Sequence, residues 1–225
     1  ASAIGGALLY GGSAARASEV NSETFFALDY WQCAKPPPID ELLAAEPART
    51  GCLVDPHQPS QLHPAVLNAN APPACIVGVI DHHAIDDRFV TASAAFVDIR
   101  PWGSASTIVA HSFLVMHRAL PRPVAGLLLS AILSDTLNLM SPTTTEWDRR
   151  IVTVLAMYTE TQRIDELASM QFAAKSASLS ALSAHDLISG DRKAFRFAAA
   201  GFTGQLAFAV VETTAPDAIT SRERE

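Results

Sequence analysis

Two short apolar runs stand out in a chain whose other hydrophobic positions mostly repeat at helical spacing. They cover residues 51–54 and 75–80, and each run is followed by an aspartate, Asp55 or Asp81. Short uninterrupted apolar runs of this kind suit strands that are buried on both faces of a parallel sheet. A weaker run at residues 94–99 predicts a third strand.

Helical patterns surround these strands. The main predicted helices cover residues 1–11, 104–120, 124–133 and 145–158. Ser104 is the residue type that commonly caps a helix N-terminus, and Pro121 and Pro123 are expected to end the helix that Ser104 begins. Strands that alternate with helices predict an α/β fold, a parallel sheet with helices on both faces, whose site lies at the carboxyl ends of the strands.

The composition changes after Met170. Residues 174–184 are rich in serine and alanine, which favours a linker, with a helix of small residues as the alternative. Residues 193–197 and 205–211 alternate well enough to be two strands joined at residues 201–204. The expected parts are a first domain, a linker and the start of a smaller α+β domain, at residues 1–173, 174–184 and 185–225.

Composition and charge narrow the classes of function. The 16 Lys and Arg residues against 23 Asp and Glu give a net charge of −7, and no basic stripe is present, so we expect no nucleic-acid partner and no anionic membrane partner. No run reaches the about 18 apolar residues that a membrane span requires. The three cysteines fit no CxxC spacing, which favours a reducing compartment, the cytoplasm.

Acids and imidazoles are found where the predicted elements end. Asp55 and the triplet Asp81-His82-His83 follow strands, and Asp135 follows a nearly all-apolar helix. Taken singly, an aspartate after a strand is more often a turn or cap residue, and a histidine pair more often structural. Together they predict a site for a divalent metal such as Mn²⁺, Co²⁺ or Mg²⁺, which mixed oxygen and nitrogen ligands suit.

Several segments resemble one known family. VIDHH, GSASTIVA and LLLSAILSDTLNLMSPTTT, in this order, are similar to the DHH phosphoesterase superfamily and, within it, to the manganese-dependent family II inorganic pyrophosphatases. NSETFFALDYW and LVDPHQPSQ look like segments of that family too, so the resemblance covers about residues 1–170. DLISGDRKAF and AFAVVETT resemble the start of its DHHA2 substrate-binding domain.

The resemblance implies a two-metal site that hydrolyses pyrophosphate to two phosphates. Asp55 and Asp135 match the carboxylates that bridge two Mn²⁺ ions, and His82 matches an imidazole ligand. His83 matches the histidine that faces the substrate phosphate, and with Asp135 it is expected to be catalytic. The metals, on the order of 3.5 to 4 Å apart, would activate a water molecule and neutralise the leaving phosphate in an in-line hydrolysis.

Three further residues receive supporting roles from the resemblance. Asp81 is expected to orient an imidazole, with a structural loop role equally open. Ser104 could present backbone N–H groups to an anion, although a plain helix cap is favoured. Lys175 matches a phosphate-binding lysine of the family, and an exposed linker lysine is the alternative.

The chain also departs from the family pattern. The family begins with a strand that carries His-x-x-x-Asp-x-Asp, whereas Ala1 or Ser2 stands here where the last of these aspartates would be. The family triplet Asp-His-Asn is Asp-Pro-His at residues 55–57. The family's basic cluster in the second domain would lie after Glu225. We therefore expect a fragment with weak or absent turnover.

Other readings remain open. Within the same superfamily, the alternatives are an exopolyphosphatase and an oligonucleotide phosphodiesterase. A different class is a non-catalytic interaction module that keeps the fold. Edge-strand pairing into a homodimer is common in the family and is an expectation here as well.

Overall fold

The chain forms two units, residues 1–168 and 169–225. The structure is a computed structural model, and it describes residues 1–46, 49–67, 76–85, 91, 93–190, 192–199, 201–211 and 219–221. Cys33 and Cys52 are free thiols, and Cys75 lies outside the described residues.

The first unit alternates helices and strands along the chain. Its helices are α1 (Ser2–Tyr10), α2 (Ser22–Tyr30), α3 (Ile39–Ala45), α4 (Pro64–Leu67), α5 (Ala105–Val115), α6 (Arg122–Asp135) and α7 (Glu146–Thr159). Its strands are β1 (Gly51–Val54), β2 (Ile76–Asp81) and β3 (Phe96–Ile99), and a single 3₁₀ turn covers Pro59–Gln61. The helix α8 (Ile164–Ala181) begins in this unit and continues into the second.

The three strands form a parallel sheet in the order β1-β2-β3. This confirms the predicted α/β fold with a parallel sheet. The middle strand β2 is buried except at Val77, as its uninterrupted apolar sequence predicts. In β1, Gly51 and Cys52 are exposed, so the prediction that this run is buried on both faces is wrong. Within the described residues, β1 has a partner strand on one side alone.

The core of the first unit is built largely from α5 and α6. Eight of their larger apolar side chains are at most 2% exposed: Ile108, Val109, Phe113, Leu127, Leu128, Leu129, Ile132 and Leu133. Burying an aliphatic or aromatic side chain of this size contributes about 1.5–3 kcal/mol. An element buried on nearly all sides has an apolar sequence all round, which explains α6. No helix among the described residues has the length and apolarity to cross a lipid bilayer.

The prolines between α5 and α6 begin a helix. The structure ends α5 at Val115, well before Leu120, and His117 adopts φ 50°. Pro121 is the N-cap residue of α6 and Pro123 lies in its first turn, where a missing N–H breaks no intrahelical bond. The prediction that these prolines end the preceding helix is therefore wrong.

The small-residue segment is helical as far as Ala181, because α8 runs through it. This is the alternative that the sequence left open. The division into domains at residues 1–173, 174–184 and 185–225 stays a prediction.

The second unit contains the rest of α8, α9 (Ala184–Gly190) and the antiparallel hairpin of β4 (Arg192–Ala199) and β5 (Phe202–Ala209). Ala199 pairs with Phe202, and Gly201 adopts φ 94°, which glycine reaches without strain. Gly204 pairs with Phe197 inside the ladder. The two strands are thus correctly predicted, but the connection predicted at residues 201–204 is too long.

A glycine in α6 lets α2 dock against it. The indole Nε1 of Trp31 donates a hydrogen bond to Ser130 Oγ at 2.9 Å, and Ala27, Leu28 and Leu127 are buried beside it. A Cβ atom on Gly126 would overlap the Trp31 ring. The glycine therefore serves close packing between the two helices.

We expect Gly126→Ala to lower the free energy of unfolding by about 1–3 kcal/mol, because the methyl group overpacks the Trp31 contact. This reverses the usual effect, since alanine in a helix interior is better than glycine by up to about 1 kcal/mol. Gly6→Ala in α1 is the matched control, because its Cβ would meet only Val54 Cγ2, at 3.6 Å. Urea unfolding measures both variants, and a Gly126→Ala protein as stable as Gly6→Ala would contradict the packing argument.

Candidate metal centre

Parallel pairing brings acids and imidazoles to one edge of the sheet. Val54 lies opposite Ile80, and beyond the strand end the Asp55 N–H donates to the Ile80 carbonyl at 2.9 Å. One ligand atom from each of four residues lies within 4.8 Å of the others; these residues are Asp55, Asp81, His82 and His83. The carboxyl ends of the two strands therefore form the cluster that the sequence predicts.

The His82 ring is held so that one nitrogen faces a carboxylate. Its Nδ1 lies 3.0 Å from the Trp102 carbonyl oxygen, which can only accept, so Nδ1 carries the proton. The other nitrogen, Nε2, lies 3.3 Å from Asp55 Oδ1. Two lone pairs that face each other at this distance need a proton or a cation between them.

A proton on Nε2 of His82 is strongly held. Burial alone would lower the pKa of His82, but the Asp55 carboxylate and the Trp102 carbonyl raise it to about 9. The Asp55 side chain is 50% exposed and that of His82 is 16% exposed, so a cation could reach the pair from solvent.

Asp81 is the buried centre of a hydrogen-bond network. It accepts from the backbone N–H of His82 at 2.6 Å and of His83 at 3.1 Å, and from His83 Nδ1 at 2.8 Å. A fourth hydrogen bond comes from His57 Nδ1. Burial alone would raise the pKa of Asp81, but these hydrogen bonds lower it. The Asp81 carboxylate thus contacts a ring nitrogen of His57 and one of His83, and its role in orienting an imidazole stays a prediction.

His57 is the residue of this network that sequence reasoning missed. Its side chain is 1% exposed and contacts Asp81 across 24 positions of the chain. The one sequence signal for His57 was its position, two residues after the predicted ligand Asp55.

Asp55 adopts φ 86°, a left-handed conformation that non-glycine residues rarely adopt and that is found disproportionately at functional sites.

Asp135 lies beside this cluster, at the C-terminal end of α6. The protein around Asp135 desolvates its carboxylate and raises the pKa of Asp135 to about 6. The Asp135 side chain nevertheless reaches solvent. The charge of Asp55 adds to this rise in pKa. Ser104 Oγ donates to its Oδ2 at 2.5 Å, which opposes that effect. Asp135 also interacts electrostatically with His82. Two carboxylates and an imidazole that share one environment leave negative charge for a cation to balance.

No protein-family model matches the chain, but its sequence is similar to those of curated proteins. A Lactococcus lactis protein named "Probable manganese-dependent inorganic pyrophosphatase" is 36% identical over 175 residues, which is 78% of this chain and 53% of the relative. A Deinococcus radiodurans protein of the same name is 34% identical over 214 residues, 93% of this chain and 64% of that one. The chain thus spans about half to two-thirds of the length of these curated relatives.

Comparison with solved structures also finds a protein named as a pyrophosphatase. The crystal structure of a "putative family II inorganic pyrophosphatase" from Methanococcus jannaschii superposes with a TM-score of 0.80 at 28% identity, covering 99% of this chain and 70% of the other. The chain is therefore similar to family II inorganic pyrophosphatases over nearly all of its own length. Its Asp and His cluster lies where the family motif VIDHH ends β2.

The donor atoms of this cluster fit a divalent metal such as the manganese in the names of the chain's relatives. Carboxylate oxygens and imidazole nitrogens are ligands that Mn²⁺ accepts. The ring of His82 is fixed by Trp102, Asp135 is held by Ser104, and Nε2 of His82 already faces Asp55. Metal-binding histidines characteristically donate their second ring N–H to a carboxylate or a backbone carbonyl, as His82 does to Trp102.

The remaining predicted residues lie in different places. Ser104 is buried and accepts from the Ser106 N–H at 3.1 Å, which confirms it as the cap of α5. Its predicted role toward an anion stays a prediction. Lys175 lies in the part of α8 that belongs to the second unit, and its match to a phosphate-binding lysine also stays a prediction.

The chain after Asp135 is strained. Leu137, Asn138 and Leu139 have φ values of 49°, 53° and 65°, and each such residue costs roughly 1–2 kcal/mol unless it is glycine. Thr136 holds this turn, since its hydroxyl accepts from the Leu139 N–H at 3.1 Å. The turn links the segment SDT to SPTTT. Of its three left-handed residues, Asn138 is the one whose residue type indicates that conformation.

We expect the metal-free protein to lose stability between pH 6.5 and about 9. The folded pKa of His82 lies above the ordinary value of 6.5, so its stabilisation is complete below pH 6.5 and is lost as the pH rises through about 9. The loss should be on the order of 1 kcal/mol, because the half-exposed Asp55 is screened by solvent.

Urea unfolding in the presence of EDTA at several pH values measures this dependence. Asp55→Asn is the control, since it removes the carboxylate that raises the His82 pKa and should flatten the slope in this range. The same slope in the wild type and in Asp55→Asn would rule out the assignment to this pair.

Proposed function

We propose that this chain provides the catalytic centre for Mn²⁺-dependent hydrolysis of inorganic pyrophosphate to two phosphates. The observation that carries the proposal is the pairing of His82 Nε2 with Asp55 Oδ1 at 3.3 Å, with Asp135 alongside. The names of the curated relatives support both the reaction and the metal. Two Mn²⁺ ions are proposed for the complete site, with Co²⁺ or Mg²⁺ as substitutes.

Each residue of the proposed centre has a defined role. Asp55, His82 and Asp135 would hold the metal ions. When bound, these ions lower the pKa of a water molecule and offset the charge of the phosphates. The His83 side chain is 44% exposed, and Asp81 binds its Nδ1, so Nε2 on the opposite side of the ring is left for a phosphate oxygen. Lys175 would add a second phosphate contact.

A chimera tests the proposal. The segment of this chain that matches the Lactococcus lactis relative replaces its counterpart in that protein, and phosphate release from pyrophosphate is measured with Mn²⁺. We expect turnover by the chimera and a loss of at least about 100-fold in Asp55→Asn, because an outer-shell change alone costs 10- to 100-fold. Asp40→Asn, an exposed aspartate on α3, is the matched control and should leave turnover unchanged.

The other candidate functions have distinct outcomes in the same assay. Faster phosphate release from long-chain polyphosphate would favour an exopolyphosphatase, and cleavage of a short oligonucleotide would favour a phosphodiesterase. A folded chimera that binds Mn²⁺ but hydrolyses none of the three substrates would favour a non-catalytic module and refute the proposed reaction.

We also propose a homodimer formed through β3. This strand is at one edge of the three-stranded sheet in the described residues, and Phe96 and Val97 are 48% and 57% exposed. An exposed apolar edge strand is a template for pairing with another chain. A cytoplasmic location and the lack of a nucleic-acid partner likewise stay proposals, supported by the free thiols and the net charge of −7.

Light scattering coupled to size exclusion tests the dimer. We expect the wild type to have the mass of two chains and Val97→Lys the mass of one, because a charge at the edge opposes strand pairing. Val154→Lys, at a 42% exposed valine of α7, is the control and should keep the dimer. A monomeric wild type, or a dimeric Val97→Lys, would contradict the proposal.

A further inference from the structure

Three consecutive residues, 102–104, contact three different acids or imidazoles. The Trp102 carbonyl holds His82 Nδ1 at 3.0 Å, and the Ser104 hydroxyl holds Asp135 at 2.5 Å. Between them, the Gly103 N–H donates to Asp148 Oδ2 at 2.9 Å. Two of the three proposed metal ligands therefore depend on one short stretch of backbone.

That stretch is held by a buried carboxylate on another helix. Asp148 lies in the first turn of α7, is 0% exposed and is 45 residues away from Gly103. Besides Gly103 it accepts from Thr107 Oγ1 at 2.6 Å, and from the Thr145 N–H at 2.7 Å and hydroxyl at 2.6 Å. Hydrogen bonds to a charged, buried acceptor are among the strong ones in proteins.

The contact at Gly103 leaves no free space. A Cβ atom there would lie 2.8 Å from Thr136 Cγ2 and 2.9 Å from Asp148 Oδ2. Glycine is thus required for Asp148 to reach the backbone N–H. Thr136 follows Asp135 directly, so the same contact also touches the end of α6.

We infer that Asp148 is a positioning residue for the metal centre, in addition to its part in the capping box that it forms with Thr145, the N-cap residue of α7. Its carboxylate fixes Gly103, and Gly103 in turn fixes the Trp102 carbonyl and the Ser104 hydroxyl against His82 and Asp135. The inference rests on the proposed metal site. It extends that site to a residue whose side chain accepts hydrogen bonds, among the described residues, from Gly103, Thr107 and Thr145 and from none of the proposed metal ligands.

Asp148→Ala tests the inference, because it removes both carboxylate oxygens and with them the hydrogen bonds from Gly103, Thr107 and Thr145. We expect its Mn²⁺ affinity to fall by about 10- to 100-fold, the usual cost of losing a partner that orients ligands. Gly103→Ala should lower the affinity in the same range by pushing Asp148 away, and it covers the case in which Asp148→Ala does not fold. Titration of free Mn²⁺ by electron paramagnetic resonance measures the affinity.

Ile151→Ala is the matched control for lost stability. It removes a buried side chain from the same helix and keeps all four hydrogen bonds of Asp148. We expect it to lower the melting temperature but leave the Mn²⁺ affinity unchanged. Wild-type affinity in Asp148→Ala or, if that variant does not fold, in Gly103→Ala would overturn the inference, as would an equal loss of affinity in Ile151→Ala.

A measurement without metal separates this inference from the proposed function. The His82 Nδ1–H is held by Trp102, and nuclear magnetic resonance can follow its exchange with solvent after assignment against His82→Gln. If the wild type binds no Mn²⁺, the proposed function fails, and exchange then decides the positioning role. Faster exchange in Asp148→Ala than in the wild type and Ile151→Ala supports it, and unchanged exchange refutes it.

Discussion

Parallel pairing of β1 with β2 places Val54 beside Ile80, and this register decides where the acids and imidazoles that follow the strands can lie. The Asp55 N–H continues the pairing by one residue, to the Ile80 carbonyl. Asp55 and the DHH triplet at residues 81–83 are thereby brought to one edge. In strands that are buried on one face, a slip of one residue moves the side chains to the opposite faces. The candidate metal centre depends on that pairing being unique.

The carboxylates around the centre differ in how many hydrogen bonds satisfy them. Asp81 and Asp148 are buried and each accepts four hydrogen bonds, so their charge is balanced within the protein. Asp135 has one side-chain donor, Ser104, and a raised pKa, and Asp55 faces a single imidazole nitrogen. A carboxylate with few donors keeps negative charge that the protein around it does not balance. The well-satisfied acids therefore serve as supports, and the poorly satisfied ones are the groups that a cation would stabilise.

The site also contains backbone strain that the core has to offset. Asp55 is in a left-handed conformation, and so are the three residues after Thr136. Strained residues persist where the surrounding structure determines them strongly. The fully buried side chains of α5 and α6 provide that support, because they fix the end of α6 from which Asp135 projects.

The sequence by itself determined the order and type of most elements of the first unit, because helix and strand patterns are local. It also placed Asp55, His82, His83 and Asp135 as the residues with site chemistry, since each follows an apolar element or lies in a family motif. Tertiary structure alone decided the pairing of His57 with Asp81, of Trp102 with His82 and of Gly103 with Asp148. These contacts join residues 24, 20 and 45 positions apart, and two of them use backbone groups that every residue has. No pattern of side chains along the chain can indicate such a contact, because it exists only once the helices and strands have packed.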